Sequence, residues 1–77
     1  MNAGQLEQIA DVRRRLKSGE ARALRLAVGI SLAECAQAAH VSITTVWRYE
    51  HGERSPRTAQ ALAYSRVLAR LERAAEQ

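Results

Sequence analysis

The chain contains almost no residues that interrupt or redirect a helix, and this limits its fold more than any other property. Its 77 residues include four glycines and one proline, and no run alternates apolar and polar residues as a half-buried strand does. Alanine, leucine, arginine, glutamate and glutamine recur throughout, and all of them favour helix. The sequence therefore predicts an all-α protein, a small bundle of about five helices that forms a single domain over residues 1–77.

Capping residues and glycines set the bounds of the predicted helices. Ser31 and Glu34 have the spacing of a capping box, in which each side chain accepts a hydrogen bond from the other residue's backbone N–H. Ser42 is a second capping residue, and Gly29 is suited to end a helix. A break at Ser18–Gly19 is favoured, with one continuous helix there as the alternative. The predicted helices span about 4–17, Glu20–Val28, 32–39, Ile43–Glu50 and about 57–76, and the core of the domain covers about 19–57.

The N-terminal helix is predicted to have one packed side. Leu6, Ile9 and Leu16 recur at helical spacing, which is typical of a helix face that meets a core. Consecutive residues of a helix point about 100° apart, so the run Arg13–Arg15 cannot line one surface. We interpret this run as solvated, with one or two of its arginines near DNA at most.

The C-terminal helix is predicted to start at Ser55 and Pro56, with serine as the N-cap and proline at the first helical position. Its apolar residues are spaced three and four apart and form a seam along one side: Ala61, Tyr64, Leu68, Leu71 and Ala75. The seam is either core against the first helix or a dimer surface. Because Leu68 and Leu71 extend beyond the reach of a compact domain of this size, we favour dimerisation through the C-terminal helix.

Net charge indicates the class of partner, and the cysteine content indicates the cellular compartment. The chain has twelve basic residues, all arginine except Lys17, and eight acidic ones. The resulting net charge of +4 favours a polyanionic partner. A single cysteine, no secretory signal and no apolar stretch near the roughly 20 residues of a membrane span predict a reduced, cytoplasmic protein without a membrane segment. Cys35, His40 and His51 are too few and too irregularly spaced to favour a metal site. We interpret Cys35 as a buried thiol and His51 as exposed.

The third and fourth predicted helices have the form of a helix-turn-helix, two short helices joined by a turn of about three residues. Projection of the second helix at about 100° per residue places Thr45, Val46 and Tyr49 on one side. The opposite, exposed side carries Ile43, Thr44, Trp47 and Arg48. Apolar side chains displayed to solvent suggest a covering partner, and the DNA major groove accommodates one helix.

The segment Ser31–Gly52 resembles the Cro/C1 repressor type of helix-turn-helix domain, also called XRE-like. It combines small or apolar residues, a turn, a Val-Ser pair and an aliphatic-x-x-aromatic-Glu-x-Gly ending. Arg25 before the segment and Arg54 and Pro56 after it also match the family pattern, so the resemblance covers about Glu20–Arg57.

Two positions depart from that pattern. His40 stands at the turn position that the family usually gives to glycine, and histidine tolerates the left-handed backbone region better than most residues. Leu32 stands where the family usually has a glutamine that contacts the DNA backbone. Ser31 and free N–H groups at the helix start are expected to supply that phosphate contact instead.

The resemblance also implies residue roles. The family's base contacts in the major groove fall on Ser42, Ile43, Thr44, Trp47 and Arg48. Arg48 would hold O6 and N7 of a guanine, while Ile43 or Thr44 would meet a thymine methyl group. Arg54 and Arg57 would contact phosphates. In the family, the arginine at the position of Arg25 pairs with the glutamate at the position of Glu50.

The leading hypothesis is a sequence-specific transcription regulator of the phage or prokaryotic Cro/repressor type, or the DNA-binding part of a larger repressor. It would bind an inverted-repeat operator in double-stranded DNA as a homodimer. The alternative is a protein-interaction module, such as an antitoxin or adaptor, whose C-terminal helix holds a partner. Without a Ser-His-acid set, paired carboxylates or a glycine-rich phosphate loop, neither an enzyme nor a cofactor or small-molecule substrate is expected.

Overall fold

The computed structural model describes all 77 residues and contains five α-helices and no strand. In chain order the helices are α1 (Ala3–Ser18), α2 (Glu20–Val28), α3 (Leu32–Ala39), α4 (Ile43–Glu50) and α5 (Thr58–Ala75). The predicted all-α bundle is confirmed. None of the five helices combines the length and the apolar character that a membrane span requires.

Local hydrogen bonds define most helix ends, as the sequence predicts. The Ser31 hydroxyl accepts the Glu34 N–H at 3.0 Å, and the Glu34 carboxylate accepts the Ser31 N–H at 2.9 Å, which completes the capping box of α3. The Ser42 hydroxyl accepts the Thr45 N–H at 3.1 Å and so caps α4. Gly19 has φ +88°, a left-handed conformation that ends α1, so α1 and α2 are two helices rather than one.

The predicted N-cap of α5, Ser55 followed by Pro56 at the first helical position, is wrong by two residues. Helix α5 begins at Thr58, and its N-cap residue Arg57 makes no side-chain capping bond. Pro56 is buried instead, and its carbonyl accepts a hydrogen bond from Arg13 Nε at 3.0 Å. This contact with α1 holds the chain extended before the helix, with φ −74° and ψ 173° at Arg57.

The apolar seam of α5 belongs to the core of this chain. Tyr64 and Leu68 are each 2% exposed and Leu71 is 8% exposed, whereas Ala75 is exposed. Helices α1, α2 and α3 all pack against α5, and the Tyr64 hydroxyl oxygen lies 3.3 Å from Cys35 Sγ of α3. The interpretation of the seam as a dimer surface is therefore wrong.

The packed side of α1 is narrower than predicted. Ile9, Val12 and Leu16 are buried, but Leu6 is 61% exposed, because it lies to one side of the stripe that faces α5. Arg15, the least exposed arginine of the basic run, forms ion pairs with Glu20 of α2 and Glu72 of α5. These charges link the three helices around the end of α1.

Candidate nucleic-acid interface

The turn between α3 and α4 sets the direction of the second helix. His40 has φ +59° and ψ +40°. It therefore occupies the left-handed region, as expected for a residue at a turn position that the family usually gives to glycine. The Val41 N–H donates to the Ala36 carbonyl at 3.1 Å and closes the turn. Val46 of α4 is fully buried against the core. Together these contacts hold α4 across α3 as a helix-turn-helix.

Helix α4 has two distinct sides, as predicted. Val46 and Tyr49 are buried and Thr45 is half-buried. The other side is open to solvent and carries Ile43, Thr44, Trp47 and Arg48. Two of these are large apolar side chains, Ile43 at 51% and Trp47 at 40% exposed. The structure thus brings four of the five candidate base-contact residues onto one exposed surface.

Ser42, the fifth candidate, lies at the start of the same helix but is already engaged. Its hydroxyl accepts the Thr45 N–H and lies 2.8 Å from the Thr45 hydroxyl. The Ser42 side chain is exposed, so it retains hydrogen-bonding capacity toward a ligand while it caps α4.

Trp47 is held by a neighbour that sequence reasoning missed. The ring of His51 stacks on the indole with centroids 3.8 Å apart and planes 17° apart. Its Nδ1 lies 2.8 Å from the Trp47 carbonyl oxygen, which fixes the imidazole at the end of α4. The signal available in the sequence was the i, i+4 spacing of the two aromatic rings, which places them on one helix face.

A buried ion pair connects α4 to α2 from behind the exposed side. Arg25 donates from Nε and Nη2 to the two Glu50 carboxylate oxygens at 2.7 and 2.8 Å, and from Nη1 to the Ile30 carbonyl at 2.9 Å. The side chains of Arg25 and Glu50 are 7% and 1% exposed. The hydrogen bonds that Arg25 donates to Glu50 raise the pKa of Arg25 despite its burial, so the guanidinium remains charged.

The candidate phosphate-contact residues differ in their surroundings. Arg54 and Arg57 are exposed, form no ion pair, and line a cleft of about 280 Å³ beside Ser42 at the start of α4. Ser31 instead shares its helix start with Glu34. Hydrogen bonds from Ser31 lower the pKa of Glu34, and the resulting carboxylate opposes an approaching phosphate. Arg54 and Arg57 are therefore better placed for an anion than Ser31.

The remaining reactive side chains are structural. Cys35 is buried, with Sγ 3.3 Å from the Tyr64 hydroxyl oxygen. Burial raises the pKa of the Cys35 thiol, which keeps it protonated and poorly nucleophilic. No group of three or more histidine, cysteine, aspartate or glutamate side chains is arranged to hold a metal ion.

Comparison with known protein families gives one match. A family described as a helix-turn-helix domain matches residues 18–76, which include α2 to α5 and leave nearly all of α1 outside. This family is typical of XRE/Cro-like DNA-binding domains and is typically non-enzymatic. No curated protein and no solved structure matches the chain.

Proposed function

The chain belongs to the helix-turn-helix domain family, and from this membership we propose that it is a sequence-specific transcription regulator of the Cro/repressor type. In this proposal residues 1–77 act as one DNA-binding domain, and α4 enters the major groove of double-stranded DNA. The observation that carries the proposal is the exposed side of α4, where Thr44, Trp47 and Arg48 project from a helix whose opposite side is buried.

Each exposed residue has a chemical role in the proposed complex. Arg48, which has no ion-pair partner in the chain, donates two hydrogen bonds to O6 and N7 of a guanine. Ile43 or Thr44 contacts a thymine methyl group, and Trp47 lies on sugar or methyl surface. Ser42 adds a polar contact at the start of α4. Arg54 and Arg57, with Ser31 as a weaker candidate, contact phosphates and set the register of the helix.

We further propose that the operator is an inverted repeat bound by a homodimer, with two copies of α4 about 34 Å apart in successive major grooves. The buried seam of α5 cannot supply the dimer contact. A groove of about 400 Å³ between α5 and α3 is lined by Ala63, Val67 and the last buried residue of the seam, Leu71. In this proposal the groove supplies the dimer contact of the C-terminal helix.

Replacement of Arg48 with alanine is expected to weaken binding to the preferred site by about 1–3 kcal/mol and to relax the preference at one base pair. The preferred site is first obtained by selection from a random DNA pool, and affinities are then measured by fluorescence anisotropy on selected and random duplexes. Equal losses on both duplexes would contradict the base contact.

The selection from a random pool also tests the dimer. An enriched inverted repeat supports the dimer, whereas a single unrepeated site contradicts it.

Replacement of Arg54 with glutamine is expected to weaken binding to every sequence alike, because a phosphate contact carries no sequence information. The slope of log affinity against log salt concentration, which is negative, should decrease in magnitude by about one. The matched control is Arg54→Lys, which keeps the charge and should keep the slope. A loss confined to the selected duplex would show that Arg54 reads bases.

The second candidate function, a protein-interaction module, is favoured only by the apolar groove between α3 and α5. Salt dependence separates the two functions. A DNA binder with several phosphate contacts loses orders of magnitude in affinity between low and physiological salt, whereas an apolar groove does not.

A further inference from the structure

We propose that α1 contributes a second phosphate-binding cleft, which holds the DNA backbone next to the segment contacted by Arg54 and Arg57. This inference rests on the proposed DNA-binding function and extends it to a helix that lies almost wholly outside the family match. The cleft has a volume of about 440 Å³ and lies between α1 and the loop that follows α4. Its cationic side chains are Arg13, Arg14 and Lys17 of α1 and Arg54 of the loop.

The charge of this cleft is largely unneutralised. Arg13 donates from Nε to the Pro56 carbonyl at 3.0 Å, which fixes the guanidinium, while its two terminal nitrogens have no partner in the chain. Lys17 forms no ion pair. Arg14 is paired with Asp11 at 2.8 Å, and Glu53 is the one acidic residue that lines the cleft. Three cations without an ion pair, Arg13, Lys17 and Arg54, against one lining carboxylate make the cleft attractive to an anion.

Ion pairing divides the basic residues of α1 between two surfaces. Arg15 is held by Glu20 and Glu72, and Arg14 by Asp11 and, at 3.7 Å, by Glu20. Arg13 and Lys17, four residues apart and therefore on one helix face, keep their charge available. The members of the arginine run therefore differ in their partners, and Arg13 is the one without an ion pair.

The cleft is continuous with the one at the start of α4. Both clefts are lined by Tyr49, Arg54 and Ser55. The cleft at the start of α4 is the one that also contains Arg57 and Ser42. The two together form a basic surface from the start of α4, the candidate recognition helix, across the loop, to α1. Phosphates of one DNA strand follow each other at about 3.4 Å along the helix axis, so a strand that passes Arg57 and Arg54 continues toward Lys17 and Arg13.

Lys17→Gln tests the cleft without disturbing the fold, because Lys17 is exposed and has no partner. We expect the negative slope of log affinity against log salt to decrease in magnitude by about 0.9 on both selected and random duplexes. This is the effect of one lost phosphate contact. Between about 50 and 200 mM salt, the wild-type chain should then lose about 3.5-fold more affinity than the variant. Lys17→Arg should restore the wild-type slope, and the sequence preference should not change.

The matched control is Arg73→Gln, which removes one exposed, unpaired charge near the end of α5, about 22 Å along the helix from Thr58. It should leave the slope unchanged. If Arg73→Gln and Lys17→Gln change the slope equally, or if neither changes it, the cleft does not hold a phosphate. If Lys17→Gln leaves the slope unchanged while Arg48→Ala still reduces sequence selectivity, the cleft proposal is overturned and the proposed function is not. A wild-type chain that shows no salt-dependent binding overturns the cleft together with the proposed function.

Duplex length gives an independent check of where the contact lies. Flanking base pairs are removed stepwise from the selected duplex while the slope is measured for the wild-type chain and for Lys17→Gln. The difference between the two should vanish once the flank beside α1 is gone. A difference that persists on the trimmed duplex would place Lys17 over the recognised bases rather than over the flank, contrary to the proposal.

Discussion

Replacement of Glu50 with glutamine is expected to lower the free energy of unfolding by about 3–5 kcal/mol. The Glu50 side chain is 1% exposed and accepts two hydrogen bonds from Arg25, whose side chain is 7% exposed. Glutamine keeps the size of the side chain but removes its charge, so the guanidinium would stay buried without a counter-ion. Urea denaturation followed by circular dichroism gives the change, provided that the dependence on urea concentration keeps its wild-type slope.

Two control variants define what the Glu50 result means. Glu72→Gln removes a carboxylate that is 53% exposed and paired with Arg15, and it should cost only about 0–1 kcal/mol. The double variant Arg25→Met/Glu50→Leu replaces both charges with apolar groups and should recover most of the stability. If Glu50→Gln costs no more than Glu72→Gln, the Arg25–Glu50 pair behaves as a surface pair and does not hold the helices together.

The Arg25–Glu50 pair matters for the proposed function because of where its hydrogen bonds lead. Arg25 joins the Ile30 carbonyl, between α2 and α3, to Glu50 at the end of α4. Glu50 is two residues from Arg48, on a helix whose start is fixed separately by Ser42. The candidate recognition helix is therefore anchored at both ends. An arginine that reads a base needs such a support, because bidentate contact requires a defined orientation.

The sequence predicts helix ends well where the stabilising hydrogen bonds are local. Ser31 and Glu34 lie three residues apart and cap α3 whatever the rest of the chain does, and the structure has that box. The start of α5 could not be read in this way. Its position depends on the bond from Arg13 to the Pro56 carbonyl, 43 residues apart in the chain, and a local capping rule contains no information about such a contact.

The candidate site was predictable to the extent that a helical projection decides it. Alternation of buried and exposed positions along α4 follows from the helix period, so the projection places Trp47 and Arg48 on the exposed side, and both are exposed in the structure. The projection says nothing about neighbours beyond the helix. The stacking of His51 on Trp47 and the cleft between α1 and the loop after α4 both depend on how separate parts of the chain meet, which only the structure shows.

The seam of α5 shows the same limit and leads to a test of large effect. Spacing alone established that Leu68 is on an apolar face, but it could not establish what covers that face. In the structure Leu68 is 2% exposed in the core, so Leu68→Ala is expected to lower the free energy of unfolding by about 2–5 kcal/mol. The measurement is urea denaturation at several protein concentrations.

The matched control is Leu6→Ala on the neighbouring helix α1, where the leucine is 61% exposed and the cost should stay within about 0.5 kcal/mol. Protein concentration supplies the deciding comparison. If Leu68 supports the core of one chain, the loss of stability is the same at every concentration. If it instead lies between two copies, the apparent stability of the wild type rises with concentration while that of Leu68→Ala does not, and the assignment of this leucine to the core would be contradicted.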